Sequence, residues 1–374
     1  MVVGGAQENT LFTVSGLAER GHQVTLVTGP SPGPEGELLK REKYHPFEIV
    51  ENPHLVRELS PFHDTMAYLS LKKFIKERKF DVVHTHSSKA GIAGRAAAWA
   101  AKTPFVAHTI HGQAFHRNEK HWKNLLYINA EKWAAKRCHK IYAVAQAMID
   151  QCLEQNIAPA SMFKVVYSGM RLEPFLESKR DDALAEKLGI PKDAKVAGAV
   201  ARLFPLKGYE DFIPAAIKIA KDTPAARFLI VGDGIMMDDL KNQIRAAGMA
   251  DKFIFAGLVP PAEVHRYISL MDVLVHLSMR EGLPRAVAQA LASGKPAISY
   301  NLDGAPEVVL DDRTGYLTNP GEVDKTASLV RRLFADSALA EKLGAAGRAL
   351  VRDRFDWRKM VDILEAECFD NLIV

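Results

Sequence analysis

Short apolar runs rich in β-branched residues alternate with helical stretches along almost the whole chain. Residues 23–28 read as a strand, preceded by a helix that sets Leu11, Val14, Leu17 and Ala18 on one face. Further strands are predicted at 81–86, 104–109, 140–144 and 163–167. The rhythm then repeats at 195–200, 227–231, 253–256, 273–277 and 296–300. Strands that are largely apolar and separated by helices belong to parallel sheets covered on both faces. Two such series predict an α/β protein of two doubly wound domains.

The break falls after Tyr167-Ser168-Gly169-Met170, where a charged stretch containing Pro174 and Pro191 precedes the second series. This predicts a first domain over 1–175 and a second over 176–356. A final helix over 357–374, with Met360, Ile363 and Leu364 at helical spacing, can pack back on the first domain or on the second. At the other end, only Met1-Val2-Val3 precede Gly4-Gly5. A glycine turn leading into a helix should follow a strand of roughly five or six residues. The first strand is therefore expected to be truncated, which either weakens a central position of the sheet or places the native start upstream.

Composition narrows the class. The chain has 374 residues, 48% hydrophobic and 25% charged, the balance of a globular protein. No apolar run reaches the ~18–20 residues of a membrane span, and Met1 to Gln7 lack the pattern of a secretory signal. Cys138, Cys152 and Cys368 form no Cys-x-x-Cys pair, which suits a reduced, cytoplasmic protein. A net charge of +4 is too mild to imply nucleic acid.

Three segments carry candidate chemistry. Gly4-Gly5-Ala6-Gln7 opens a helix, where backbone amides and the helix dipole can face an anion, although a plain tight turn reads the same way. Arg202 and Lys207-Gly208 follow a strand of the second domain and place two cations at its carboxyl end, a combination that suits a diphosphate or an ordinary basic loop. Glu281-Gly282-Leu283 precede a helix that carries Gln289. A carboxylate can hold sugar hydroxyls, amides at a helix start can hold phosphate, and a carboxamide can hold ribose. At ~1.5 Å per residue the helical distance from 281 to 289 is on the order of 12 Å. Equally, Glu281 could be a first-turn helix charge and Gln289 a solvated residue.

In order and spacing these pieces resemble the retaining glycosyltransferases of family 4, which have the GT-B fold, over essentially the whole chain. The matches are Gly4-Gly5, Arg202 with Lys207-Gly208, and Glu281, with Gln289 where the family has a second glutamate. Val231-Gly232-Asp233-Gly234, Ala256-Gly257, Gly304-Ala305-Pro306-Glu307 and Gly315-Tyr316-Leu317 support them. The resemblance implies two Rossmann-like domains facing a central cleft, the first holding the acceptor and the second a nucleotide-diphosphate sugar. Arg202 and Lys207 would neutralise the diphosphate, Glu281 would bind the donor sugar and residue 289 the ribose. Gly4, Gly5, Gln7, Gly282, Leu283 and Glu307 would complete the substrate-binding set. Gln289 lacks the charge that strengthens hydrogen bonds from hydroxyls, so weaker nucleotide binding is expected. No Asp-x-Asp motif ends a predicted strand, so neither a metal nor another cofactor is expected.

Two further clusters lie in the first domain. His84, His86, His108 and His111 end adjacent predicted strands, with no cysteine or carboxylate beside them to complete a metal site. The family places a histidine in the context Thr109-Ile110-His111-Gly112 beside the reacting sugar, which singles out His111. Residues 116–140 carry seven Lys or Arg against two Glu, interleaved with Trp122, Leu125, Leu126, Tyr127 and Trp133. Such a segment is a solvated helix with an apolar core face, or a dock for an anionic membrane or a lipid phosphate.

The combined expectation is a metal-independent hexosyltransferase acting on a carbohydrate or lipid-linked acceptor in glycan, polysaccharide or glycolipid synthesis. It would be cytoplasmic, at most peripheral at the inner face of a membrane. A nucleotide-sugar epimerase and a catalytically silent sugar-binding subunit are the competing readings.

Overall fold

The computed structural model describes residues 4–30, 39, 45–56 and 58–372. They divide into two compact units, Met1–Met170 with Phe355–Val374, and Arg171–Arg354. Met1, Val2 and Val3, where a truncated strand is expected, lie outside the described residues.

The first unit runs α1 (Gly5–Glu19), β1 (Thr25–Thr28), β2 (Glu48–Glu51), α2 (Pro61–Arg78), β3 (Val82–His86), α3 (Ser88–Ala100), β4 (Phe105–Ile110), α4 (His121–Ala135), β5 (Lys140–Ala143), α5 (Gln146–Glu154) and β6 (Phe163–Val165). Its described strands form two sheets, a parallel pair β1-β2 and a parallel four-stranded sheet β3-β4-β5-β6. The short β2 went unread because its Glu-Ile-Val-Glu run is largely exposed and lacks an apolar signature. The buried residues of α1 are Asn9, Thr10, Thr13 and Gly16, not the predicted stripe of Leu11, Val14, Leu17 and Ala18.

The second unit runs α6 (Glu173–Leu176), α7 (Asp182–Lys187), β7 (Lys195–Val200), α8 (Tyr209–Asp222), β8 (Ala226–Val231), α9 (Met237–Ala246), β9 (Phe253–Gly257), α10 (Val264–Ser269), β10 (Val273–His276), α11 (Arg285–Ala292), β11 (Ala297–Tyr300), β12 (Gly315–Thr318), α12 (Val323–Ala335) and α13 (Ser337–Arg354). All six strands are parallel, in the order β12-β11-β10-β7-β8-β9. Phe228 to Val231 and Val273 to His276 are buried throughout, the pattern of sheets covered on both faces. The chain adds β8 and β9 on one side of β7, then returns to its other side with β10, so the topology switches between β7 and β10. Ligands of open α/β sheets bind outside the carboxyl ends of strands at such a point.

The last helix, α14 (Trp357–Leu372), belongs to the first unit. Met170 N–H donates to Phe355 O at 2.8 Å, and α14 then lies on α1. Phe12 stacks on Trp357 at 5.7 Å, and Arg20 and His22 both reach Glu365. Val361 and Leu364 are buried with Phe105 and Tyr142 of the four-stranded sheet.

Candidate functional site

The strongest grouping of predicted residues stands at the β7/β10 switch point of the second unit. The loop after β7 carries Arg202 and Lys207, and the loop after β10 carries Glu281. Backbone contacts stitch the two together: Met279 N–H donates to Leu206 O at 2.8 Å, and Ser278 Oγ reaches the same carbonyl at 3.3 Å. Gly208 caps α8 with φ 79°, and a Cβ there would stand 1.9 Å from Leu277 O. Only glycine allows both that left-handed backbone and that approach.

This packing brings Lys207 Nζ to 2.6 Å from Glu281 Oε1. His276 Nε2, at the end of β10, lies 3.2 Å from the same oxygen, and the Glu281 backbone N–H donates to Asp303 Oδ2 at 3.0 Å. Burial pulls the Glu281 pKa upward, but the His276 hydrogen bond and the Lys207 charge outweigh it and hold the carboxyl at about 2. The site thus holds a fixed carboxylate that accepts hydrogen bonds, braced by a cation with further donors. Arg202 is exposed, with its guanidinium 5.2 Å from the Phe204 ring centroid. A carboxylate suits hydroxyl groups, and the two cations suit a diphosphate.

Gly282 and Leu283 occupy a bend rather than the start of α11, which begins at Arg285 after Pro284. Gln289 sits half-buried on α11. Since only 285–289 of that stretch is helical, the helical estimate of the separation from Glu281 does not apply. Glu307 ends a short 3-10 turn after β11 and is half-buried.

His276 and Asp303 were missed in the sequence. The signal for His276 was a polar residue closing the apolar run Val273-Leu274-Val275, five positions before Glu281. Asp303 gave none, because only the fold brings the loop after β11 against the loop after β10.

The remaining predicted residues are in the first unit. Gly4 precedes α1 in an extended conformation, and a Cβ on it would meet Gln7 Oε1 at 2.6 Å. Gly5 and Gln7 occupy the first turn. His111 Nε2 shares a hydrogen bond with His86 Nδ1 at 2.9 Å, with the rings stacked at 5.2 Å. His84 Nε2 lies 2.7 Å from Thr109 Oγ1, and His108 Nδ1 lies 2.9 Å from Thr85 Oγ1. Burial, then the neighbouring histidines, pushes the His86 pKa well below its usual value, and burial takes His84 down to about 4. Both are therefore neutral at neutral pH. Among the described residues no three His, Cys, Asp or Glu side chains are grouped to hold a metal ion.

On α4 the large side chains Trp122, Leu125, Leu126 and Trp133 do not face the core. Trp122 is 62% exposed, and Leu125, Leu126 and Trp133 are also exposed, while Glu131, Ala134 and Ala135 are buried. Glu131 turns inward because its carboxylate pairs at 2.7 Å with Arg95, which is fully buried. Arg137 covers the Trp133 ring at 3.8 Å. No described helix is long and apolar enough to cross a membrane.

Comparison with known proteins matches both units. Residues 3–173 fit the family model described as Glycosyltransferase Family 4, and residues 180–350 fit Glycosyl transferases group 1. The chain is 32% identical over 291 residues, 77% of its own length and 75% of the relative's, to the UDP-Gal:alpha-D-GlcNAc-diphosphoundecaprenol alpha-1,3-galactosyltransferase of Escherichia coli. It is 26% identical, over 93% of its length and 88% of the relative's, to the alpha-monoglucosyldiacylglycerol synthase of Acholeplasma laidlawii. In fold it is similar to Anabaena HepE in complex with UDP, with a TM-score of 0.82 and 22% identity over 98% of this chain and 96% of that one.

Proposed function

Since the chain belongs to glycosyltransferase family 4 and has the GT-B fold, we propose that it transfers a hexose, with retention, from a nucleotide-diphosphate sugar to a hydroxyl of a carbohydrate or lipid-linked acceptor. The observation that carries this reading is the braced Glu281 carboxylate between Lys207 and His276 at the switch point of the second unit.

The donor lies along the carboxyl edges of β7 and β10. Arg202 and Lys207 face its diphosphate, and Lys207 can do so while holding Glu281, because an ammonium has three donors. Glu281 accepts hydrogen bonds from the sugar hydroxyls, Gln289 from the ribose hydroxyls, and Gly282, Leu283 and Glu307 complete the pocket. His111 stands beside the reacting sugar, while Gly4, Gly5 and Gln7 belong to the substrate side of the first unit. In the step itself the bond from the anomeric carbon to the diphosphate oxygen breaks, and the acceptor oxygen bonds to that carbon on the same face. The acceptor proton passes to an oxygen of the departing diphosphate, so no separate base is needed. Catalysis is chiefly positioning and stabilisation of the leaving charge by the two cations, which take the place a divalent metal could fill.

Two relatives whose names specify a diphosphoundecaprenol-linked sugar and a diacylglycerol glycolipid favour an acceptor at a membrane. The exposed Trp122, Leu125, Leu126 and Trp133, set among Lys120, Lys123 and Arg137, suit peripheral docking at an anionic inner leaflet from the cytoplasm. The test is a panel of nucleotide sugars with glycolipid and oligosaccharide acceptors, with and without EDTA, and assignment of the product anomer by NMR. Transfer with retention in EDTA is expected. Inversion, a strict metal requirement, or epimerisation of donor alone would overturn the reading.

A further inference from the structure

Strand register sorts the histidines of the first unit. His86 of β3 is in register with Thr109 of β4, which is in register with Tyr142 of β5. Partners in register share a face of the sheet, and so do residues two apart along a strand. His84, His86, Thr109 and Tyr142 therefore lie on one face. His108, in register with Thr85, lies on the other, where a Cβ on Gly91 of α3 would meet its ring at 2.5 Å. On the first face the rings form a column. Tyr142 is fully buried and stands edge-on to His84 at 5.6 Å, His84 lies 4.4 Å from His86, and His86 stacks on His111 at 5.2 Å. Thr109 Oγ1, 2.7 Å from His84 Nε2, ties the column to β4.

The column ends in the hydrogen bond between His86 Nδ1 and His111 Nε2 at 2.9 Å. Burial keeps His84 neutral, and burial with the neighbouring histidines keeps His86 neutral. A neutral imidazole carries one ring hydrogen, so in the neutral pair the nitrogen that donates settles the tautomer of both rings. His111 sits on the bend that directly follows β4, a place where backbone pairing no longer fixes a side chain. We propose that His86 is the positioning residue for His111: its Nδ1 fixes the tautomer and orientation of that ring, and His84 and Tyr142 keep His86 from turning away. The proposal rests on the reading of His111 as the residue beside the reacting sugar. A ring already held in place does not reorganise during the step, so the effect falls on turnover more than on donor binding.

Two variants separate the bond from the packing. His86→Phe keeps a ring in the column and removes the bond, whereas His86→Asn gives up the ring and keeps an amide where Nδ1 stood. With ¹⁵N-labelled histidine, two-bond spectra at about pH 8, above the ordinary histidine range, read the ring nitrogens of His111 without any substrate. Their signals are assigned by their loss in His111→Ala. One tautomer is expected in the wild type and in His86→Asn, and an average of two in His86→Phe. With the nucleotide sugar selected by the panel above, kcat of His86→Phe should fall roughly 10- to 10²-fold while KM for the donor stays within about twofold. His86→Asn should recover most of that loss. In a His111→Ala background His86→Phe should cost nothing further, because residues that act as one unit are not additive. An unchanged tautomer or an unchanged kcat in His86→Phe, or an undiminished cost in the His111→Ala background, would overturn the proposal alone. Full activity in His111→Ala would remove the role of His111 itself, and that of His86 with it.

Discussion

Lys207 and Glu281 are 74 positions apart in the chain and 2.6 Å apart in the fold. Each came to notice through a separate segment, one as a phosphate ligand and the other as a sugar ligand. Their contact makes them a single device in which the cation fixes the carboxylate and the carboxylate orients the cation. Removing either leaves the other charged and half-buried without its partner, which costs more than one lost hydrogen bond.

Lys207→Ala and Arg202→Ala are each expected to lower turnover by roughly 10²–10³ with the fold intact, the effect of deleting one preorganised charge contact. Circular dichroism and steady-state rates decide it. Near-normal rates in both variants would remove the diphosphate role.

The pH dependence of stability follows from Glu281. A carboxyl with a folded pKa below its unfolded value contributes stability above the unfolded value, and the contribution is lost as pH falls through the folded one. Here the window runs from the ordinary value of 4.5 down to about 2. The stability difference between the wild type and Glu281→Gln should therefore be greatest near neutrality and narrow across that window. A difference that stays constant in denaturant titrations would show that the carboxylate is not held as described.

Gln289→Glu is expected to keep activity and tighten binding of donor and free nucleoside diphosphate, because a carboxylate is the stronger acceptor for ribose hydroxyls. Calorimetry on the wild type, Gln289→Glu and Gln289→Ala checks this. Unchanged affinity across all three would place the side chain outside the site.

Gly208→Ala should destabilise the second unit by more than the ~1–2 kcal/mol that left-handed backbone costs a residue with a Cβ, because the methyl also meets the Leu277 carbonyl. The loop that carries Lys207 would shift with it. Loss of nucleotide binding is expected at temperatures where the variant remains folded.

Replacing Arg117, Lys120 and Lys123 with serine is expected to abolish sedimentation with anionic liposomes while leaving activity on a soluble acceptor intact. Each cation near an anionic surface contributes about 1 kcal/mol, and the attraction weakens as salt shortens the Debye length. Equal binding to neutral vesicles would point instead to the exposed Trp122 and Leu126 alone.

Local composition alone reads out the rhythm of strands and helices, since a buried parallel strand must be apolar along its length and Phe228 to Val231 could be little else. It also marked Arg202, Lys207 and Glu281, whose neighbours are glycines and strand ends that local chemistry makes recognisable. The packed fold supplies what no local pattern records. It set His276 and Asp303 against Glu281, because contacts between loops of separate strands depend on strand order. It turned Trp122, Leu125, Leu126 and Trp133 of α4 outward and set Glu131, Ala134 and Ala135 inward, where Glu131 meets the buried Arg95. It returned α14 to the first unit, where Trp357 and Val361 meet α1 and the four-stranded sheet. A helix with one apolar stripe can bury it on whichever surface the fold presents, and only the packed chain makes that choice.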